Sequence, residues 1–380
     1  MDFTKLQKFL EKTDRERDLP GSLCLVHVDG EEVFSYAGGC ANLKSRTPMD
    51  MERILYQFSM TKPVTCIAAL QLFEEGAFLM TDPLSEYLPE FKNPLVFDVR
   101  PDGDTAIRPA KGPIRIRDLF TMESGYGYPG ENSLQGRMLA ERFGDEKRLF
   151  LLPLSEFTRE LAAVPLLFDP GTHWHYGYSH DILARLVEVL SGEKFSDYME
   201  KHIFRPLGMA HTGFHLKKED ETRMATLYTY DPAAKTLTEC HRSVNPVFES
   251  GGAGLLSTVP DYMKFADMLC LLGTSPEGVR ILGSRTVRMM TANALREQQA
   301  DFDWIHMKGY GYGYGVRTMT DPSLGGSSGN PGEFGWAGLA GTDLIIDPRE
   351  KLTVVYGHQR IPNDEPYIHP RLRNIVYACL

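Results

Sequence analysis

Apolar and polar residues alternate as they do in strands near both ends of the chain. Residues 21–28 and 31–37 are rich in apolar residues and flank Asp29-Gly30, which is the signal of a β-hairpin. In the last third, the pattern predicts further strands at residues 310–318, 334–339, 342–347 and 352–358. Glycine and tyrosine alternate in residues 309–315, so one strand face lacks side chains and we expect a helix to approach it closely.

Apolar residues recur at helical spacing between these strands and at both termini. Residues 1–18 predict an amphipathic helix, and residues 63–75 predict a buried helix that ends at Gly76. Further helices are predicted at residues 155–164, 181–190, 195–203, 260–272 and 370–378. Segments rich in glycine and proline, such as residues 325–332, are expected to be loops between these elements.

This order of elements predicts an α+β fold. Strands from both ends of the chain are expected to form one antiparallel sheet, flanked by the N- and C-terminal helices. We assign residues 1–80 and 250–380 to this sheet domain, and residues 81–249 to an inserted, mainly helical domain. Because ligand sites prefer the junction of two such units, we expect the functional site where the two domains meet.

Composition narrows the function classes. The 380 residues are 42% hydrophobic and 24% charged, which is ordinary for a globular protein, and the formal net charge is -10 without a basic run. Nucleic-acid binding is therefore disfavoured. The first 18 residues lack the apolar core of a signal peptide and no segment is long enough to span a membrane, so we expect a cytoplasmic protein. Cys24, Cys66 and Cys270 lie in apolar runs and are expected to be reduced core residues.

Ser59-Met60-Thr61-Lys62 carries the first candidate chemistry. Proline is best tolerated in the first helical turn, so Pro63 indicates that the helix begins near Ser59, where free N–H groups favour developing negative charge. Residues i and i+3 share a helix face, so the Lys62 amine can reach the Ser59 hydroxyl and take its proton. Taken alone, the same spacing also fits a helix cap followed by a solvated lysine.

The surrounding segments resemble the serine β-lactamase and penicillin-binding protein superfamily. Ser59-Met60-Thr61-Lys62 is similar to its Ser-x-x-Lys signature. Residues 117–125, 205–209 and 251–258 resemble further family segments in the right order. The class C-like enzymes, and among them the family VIII carboxylesterases, are the most similar branch. This resemblance implies a β-lactamase/transpeptidase-like fold and an acyl-enzyme formed on Ser59.

The second family motif, Tyr-x-Asn, corresponds to residues 170–179, where two tyrosines compete for the catalytic place. Spacing from Pro170-Gly171 and the Trp-x-Tyr form favour Tyr176 over Tyr178. Beside the Lys62 cation, a Tyr176 phenolate can act as base toward Ser59 and then as acid toward the leaving group. The family asparagine, which helps to hold a substrate amide, falls at Tyr178. This departure favours esters over β-lactams and peptides.

The third motif corresponds to Gly335-Trp336-Ala337-Gly338-Leu339, which resembles the Trp-Gly-Gly form of the esterase branch. Trp336 occupies the place of the cation that anchors carboxylates in β-lactamases. The resemblance implies that Trp336, Ala337 and Gly338 contact the substrate, and that the N–H groups of Leu339 and Ser59 form the oxyanion hole. A core position for Trp336 is the alternative.

These residues predict a serine hydrolase that cleaves a small-molecule carboxylic ester without a cofactor or metal. A β-lactamase, a D-amino-acid peptidase or an acyltransferase of the same fold is the alternative, and a non-catalytic binding protein is an alternative of another class. Gly325-Gly326-Ser327-Ser328-Gly329 matches a nucleophile elbow, but it lacks the strand and helix that an elbow requires. His173, His175 and His180 lack a metal-binding pattern. The sequence carries no indication of oligomeric state.

Overall fold

An eight-stranded antiparallel sheet lies at the centre of the computed structural model, which describes residues 1–99, 105–302 and 307–380. The strands are β1 (Gly21–Val28), β2 (Glu31–Asn42), β3 (Thr47–Pro48), β4 (Ile54–Tyr56), β5 (Leu95–Val99), β6 (Thr105–Pro109), β7 (Leu227–Asp231), β8 (Thr236–Cys240), β9 (Leu256–Thr258), β10 (Tyr310–Tyr312), β11 (Arg317–Met319), β12 (Phe334–Gly335), β13 (Asp343–Asp347), β14 (Leu352–His358) and β15 (Arg360–Ile361). The large sheet has the order β10-β11-β12-β13-β14-β1-β2-β3, so strands from both ends of the chain meet at β14 and β1.

The helices surround this sheet and build the middle of the chain. They are α1 (Thr4–Glu16), α2 (Thr61–Glu74), α3 (Ile116–Phe120), α4 (Leu134–Phe143), α5 (Glu146–Leu149), α6 (Leu154–Ala162), α7 (Ser179–Ser191), α8 (Phe195–Met199), α9 (Val259–Cys270), α10 (Ser284–Thr291), α11 (Pro322–Gly325) and α12 (Glu365–Tyr377). A 3₁₀ turn, Phe58–Met60, leads directly into α2.

The central strands are covered on both faces, which explains the apolar run Leu23–Val26 in β1. Successive side chains of a strand point to opposite faces. Cys24 and Val26 pack in the cluster that contains residues of α1 and α12, whereas Leu23 and Leu25 pack in the larger core that contains α2 and α9. The sheet is therefore enclosed between the two terminal helices on one side and α9 on the other. The predicted α+β architecture is confirmed.

Three predicted elements need correction. The strand predicted at residues 310–318 is the hairpin of β10 and β11, because the chain turns at Gly315, whose φ is +75°. The strand predicted at residues 334–339 ends after Gly335. The last helix begins at Glu365, five residues before the prediction, and contains Pro370 within it. Proline lacks one hydrogen bond but is accommodated there by the packing of α12 on the sheet.

The middle of the chain also contains strands that the apolar pattern did not predict. β5 and β6 form one hairpin, and β7 and β8 form another that pairs with β15. β6 and β8 contain no fully buried residue, so the apolar signal of a buried strand is weak in both hairpins. The division into a sheet domain and an inserted domain stays a prediction. Cys24, Cys66 and Cys270 are buried and not disulfide-bonded, as expected. Of the helices in the described ranges, none is long and apolar enough to cross a membrane.

Candidate active site

Ser59 lies in the tight turn that starts α2, as the sequence predicts. Hydrogen bonds to its neighbours hold this turn: the Thr61 hydroxyl donates to the carbonyl of Phe58 at 2.6 Å, and the Tyr262 hydroxyl donates to the carbonyl of Met60 at 2.6 Å. Phe58 has a φ of +46°, which is rare for a residue with a bulky side chain. The surrounding contacts thus impose a strained backbone immediately before Ser59.

Lys62 is fully buried and its amine contacts Ser59. The distance from Lys62 Nζ to Ser59 Oγ is 3.2 Å, and Nζ also donates to the carbonyl of Gly252 at 2.8 Å. The chain packs closely on α2 here, since a Cβ on Gly315 would lie 2.6 Å from Cys66 Sγ and 3.2 Å from the Lys62 carbonyl. Gly315 thus allows a close approach to α2, and Gly313 allows one to α10, where a Cβ would lie 2.2 Å from the Met290 carbonyl.

Asp181, in the first turn of α7, belongs to the same site and was not predicted. Its Oδ1 accepts hydrogen bonds from the Ser250 hydroxyl at 2.5 Å and from the Gly252 N–H at 3.2 Å. Gly252 therefore connects Asp181 to Lys62, through its N–H on one side and its carbonyl on the other. Burial raises the pKa of Asp181, while the Ser250 hydrogen bond and the Lys62 charge oppose that shift. Aspartate is common in the first turn of a helix because it favours the positive end of the helix dipole. The sequence position of Asp181 therefore does not indicate a site residue.

Tyr176 completes the group around Lys62. Lys62 Nζ lies 4.4 Å from the centroid of the Tyr176 ring. The Trp336 indole N–H donates to the Tyr176 hydroxyl oxygen at 3.2 Å. Trp336 is only 2% exposed and its ring lies 5.3 Å from that of Tyr312, so it is a core residue. Its indole thus positions the Tyr176 oxygen, and a contact between Trp336 and the substrate stays a prediction.

Tyr178 is held in a different environment. Its side chain is 5% exposed and packs among the rings of Phe143, Phe157 and Tyr128, at centroid distances of 5.9, 5.0 and 4.8 Å. Burial raises its pKa well above that of an ordinary tyrosine. The structure therefore brings Tyr176, and not Tyr178, to Lys62. The Tyr178 ring packs in this aromatic cluster, and its role as a substrate contact stays a prediction.

Tyr128 forms a second aromatic wall, and Glu131 ties it to the loop that carries Tyr176. The Tyr128 ring lies 5.7 Å from that of Tyr176, edge to face, and 5.7 Å from Lys62 Nζ. Glu131 Oε1 accepts the N–H of Tyr128 at 3.0 Å, and Oε2 lies 2.8 Å from Nε2 of His175. One carboxylate thus connects the two walls. Sequence reasoning missed it because Glu131 lies in a loop without periodicity.

The segment proposed for the oxyanion hole lies against the chain just before Ser59. The N–H of Gly338 donates to the carbonyl of Thr342 at 2.8 Å, and the Thr342 hydroxyl donates to the carbonyl of Gln57 at 3.2 Å. A Cβ on Gly338 would lie 2.4 Å from that Gln57 oxygen. Ala337 pairs with a residue of β13, and the Leu339 side chain is 54% exposed. The roles of Ala337, Gly338 and Leu339 toward a substrate stay predictions.

The three clustered histidines have different partners. His173 Nδ1 lies 3.0 Å from Asp301 Oδ2, and His175 contacts Glu131. His180 is buried beside Cys66, and burial together with the Lys62 charge lowers its pKa to about 3. Each of the three rings thus contacts a different group. The glycine-rich segment at residues 325–329 follows α11 instead of a strand, which differs from a nucleophile elbow.

Comparison with known proteins gives related chains of similar length. A family model described as Beta-lactamase matches residues 6–376. An uncharacterized protein of Mycobacterium tuberculosis is 29% identical over 336 residues, which cover 86% of this chain and 82% of that protein. Esterase EstB of Burkholderia gladioli is 28% identical over 376 residues, which cover 92% and 88%. The solved structure of EstCE1, a hydrolase with promiscuous acyltransferase activity, has a TM-score of 0.81 at 22% identity and covers 99% of this chain and 98% of its own.

Proposed function

The chain belongs to the β-lactamase family, and from that premise we propose that it cleaves small carboxylic esters through an acyl-enzyme on Ser59. One observation carries the proposal: the buried Lys62 amine lies 3.2 Å from Ser59 Oγ and 4.4 Å from the Tyr176 ring. A hydroxyl held beside a buried amine and a phenol is the arrangement that activates a serine nucleophile. The match to EstB, which is named an esterase, supports ester cleavage.

Acylation begins with attack of Ser59 Oγ on the ester carbonyl carbon. The hydroxyl proton passes to a Tyr176 phenolate, which the Lys62 cation and the Trp336 N–H stabilise. The carbonyl oxygen becomes an oxyanion, and we assign the N–H groups of Ser59 and Leu339 as its donors. As the intermediate collapses, Tyr176 returns the proton to the departing alcohol and the acyl group remains on Ser59.

Deacylation repeats these steps with water as the nucleophile. Water gives a proton to Tyr176 and attacks the acyl carbon, and the proton then returns to Ser59 as the acid leaves. If an alcohol replaces water, the same intermediate yields a new ester. The fold shared with EstCE1, which is described as a hydrolase with acyltransferase activity, makes this transfer the second candidate function. Trp336 stands where β-lactamases carry the cation that anchors a substrate carboxylate. β-Lactams are therefore the less favoured substrates.

Covalent labelling tests the proposal. A fluorophosphonate should modify Ser59, and mass spectrometry of a proteolytic digest should locate the adduct there. Ser59→Ala should lose the adduct and the turnover of a short-chain nitrophenyl ester. Ser327→Ala is the matched control, because Ser327 belongs to the only other segment with a nucleophile-like pattern that the sequence suggested, and it should retain both.

Two outcomes would contradict the proposal. Wild-type turnover by Ser59→Ala, or an adduct on another residue, would refute Ser59 as nucleophile. Absence of any adduct with phosphonates and activated esters would instead favour a non-catalytic binding protein. Nitrocefin hydrolysis at a rate comparable to ester hydrolysis would reverse the preference for esters over β-lactams.

A further inference from the structure

An open cavity of about 810 Å³ is lined by Arg242, whose guanidinium stacks on the ring of Phe58, the residue before Ser59. Its walls come from two segments, residues 145–151 and residues 241–247. Phe150, Leu151 and Val247 supply apolar surface, and the last two are exposed. A cavity of this size accommodates a small organic molecule.

Arg242 is held rigidly at this cavity. Its Cζ lies 5.0 Å from the centroid of the Phe58 ring and 5.1 Å from that of Phe150. The Tyr56 hydroxyl donates to the Arg242 carbonyl at 2.8 Å, which fixes the backbone of the same residue. When two rings cover a guanidinium, its N–H donors point outward from the edge of the guanidinium plane. A carboxylate can accept hydrogen bonds from donors in that geometry.

Contacts on two sides connect this guanidinium with the nucleophile. On one side it covers Phe58, the neighbour of Ser59 in the turn before α2. On the other, Arg242 lines a small second cavity together with Ala253 and Gly254, which directly follow Gly252, the residue whose carbonyl binds Lys62. A substrate group bound at Arg242 would therefore contact a side chain that stacks on the residue before Ser59 and lines a cavity beside the residues that follow Gly252.

The ion pair that Arg242 already makes is a weak competitor. Arg242 Nη1 lies 3.1 Å from Glu146 Oε1, and the Glu146 side chain is 59% exposed. Exposed pairs of this kind contribute little to stability, so another carboxylate can displace Glu146. The other charged groups lining the cavity are Asp145 and Lys147, which offset each other, and His241. Arg242 therefore provides the positive charge next to the rings.

We infer that Arg242 is a carboxylate-binding residue of the active site and that the ester substrate carries a carboxylate on an apolar chain. The chain would lie on Phe150 and Val247, and the carboxylate would replace Glu146 at Arg242. This inference rests on the proposed ester hydrolysis at Ser59. It also explains how an anionic substrate is anchored although Trp336 stands where β-lactamases carry a cation.

Matched pairs of esters test it. In the first pair, 4-nitrophenyl hydrogen adipate is compared with 4-nitrophenyl hexanoate, so the acyl groups differ only by the terminal carboxylate. In the second, 4-(acetoxymethyl)benzoate is compared with benzyl acetate, which places the carboxylate on the alcohol. Arg242→Met keeps an apolar stem between the rings and removes the charge. We expect kcat/KM for the anionic ester of one pair to fall about tenfold or more, with its neutral twin within about threefold of wild type.

Two variants of the same cavity serve as controls. Lys147→Met removes the same charge from the wall without a stacked guanidinium, and it should change the ratio between the paired esters by less than about threefold. Glu146→Gln removes the competing carboxylate and should raise kcat/KM for the anionic ester. If Arg242→Met lowers kcat/KM equally for the anionic and the neutral ester of each pair, Arg242 has a structural role and the inference is overturned. Equal effects of Lys147→Met and Arg242→Met would also overturn it.

A binding measurement separates this inference from the proposed reaction. Adipate should slow fluorophosphonate labelling of Ser59 in the wild-type protein and should lose this effect in Arg242→Met. Labelling that adipate leaves unchanged in both proteins would overturn the carboxylate site while Ser59 remains the nucleophile. Absence of labelling in the wild type would instead overturn the proposed function on which the inference rests.

Discussion

Gly338→Ala directly tests whether residues 338–339 form the wall of the oxyanion hole. A Cβ at this position would lie 2.4 Å from the backbone oxygen of Gln57 and 2.1 Å from Thr342 Oγ1. The Thr342 hydroxyl can rotate, but the Gln57 carbonyl belongs to the turn that positions Ser59 and cannot move alone. Since carbon and oxygen normally approach to about 3.3 Å, the 338–339 backbone must retreat by about 0.9 Å.

A retreat of that size is enough to break a hydrogen bond from the Leu339 N–H to an oxyanion. Loss of one such donor costs about 2.7–4 kcal/mol of transition-state stabilisation, so we expect kcat to fall by about 10²–10³. KM should change little, because the ground-state carbonyl depends less on this contact. The nucleophile itself should remain reactive, so fluorophosphonate should still modify Ser59, although more slowly.

The assay is steady-state hydrolysis of a short-chain nitrophenyl ester, with thermal unfolding measured on the same samples. Gly112→Ala is the matched control, because a Cβ there meets no atom within 4 Å. It should keep wild-type kcat. A Gly338→Ala protein that is stably folded and retains kcat within about threefold of wild type would refute the assignment of Leu339 to the oxyanion hole.

Three further predictions follow from the contacts around this site. Tyr176→Phe should lower kcat in the ester assay by about 10² or more, whereas Tyr178→Phe should keep activity within about fivefold of wild type. The reverse order of the two variants would make Tyr178 the catalytic tyrosine. Glu131→Gln should lower kcat about tenfold without abolishing Ser59 labelling, because it loosens the walls formed by Tyr128 and Tyr176. An unchanged kcat would show that the Glu131 carboxylate has no positioning role. Hydrogen bonds from Arg108 lower the pKa of Asp169 to about 2, so this pair stabilises the fold above the ordinary aspartate pKa and loses that effect as the pH falls toward 2. Asp169→Asn should therefore lower the free energy of unfolding by about 1 kcal/mol at pH 7, measured with urea, and a difference from wild type that does not shrink between pH 4 and pH 2 would contradict this origin.

Local elements of the fold were predictable because short-range physics determines them. β1, β13 and β14 carry the apolar runs of strands buried on both faces, and they were placed within one residue. The Ser59 turn and α2 follow from helix-start rules that involve only neighbouring residues. The hairpin of β10 and β11 was missed because alternation is the same whether a strand continues or turns back. Only the pairing partner distinguishes these cases.

The sequence by itself determined which residues supply the chemistry of one helix turn. Ser59 lies in the 3₁₀ turn that leads into α2 and Lys62 lies three residues later in its first turn, so helical spacing alone brings their side chains to one face. The tertiary structure decided everything that depends on distant segments. It brought Tyr176 instead of Tyr178 to Lys62 and enclosed Trp336 in the core. It also placed Asp181 behind Lys62. Motif spacing favoured Tyr176, but the contacts themselves depend on packing between segments that are separate in the chain, and spacing within one motif cannot give that packing.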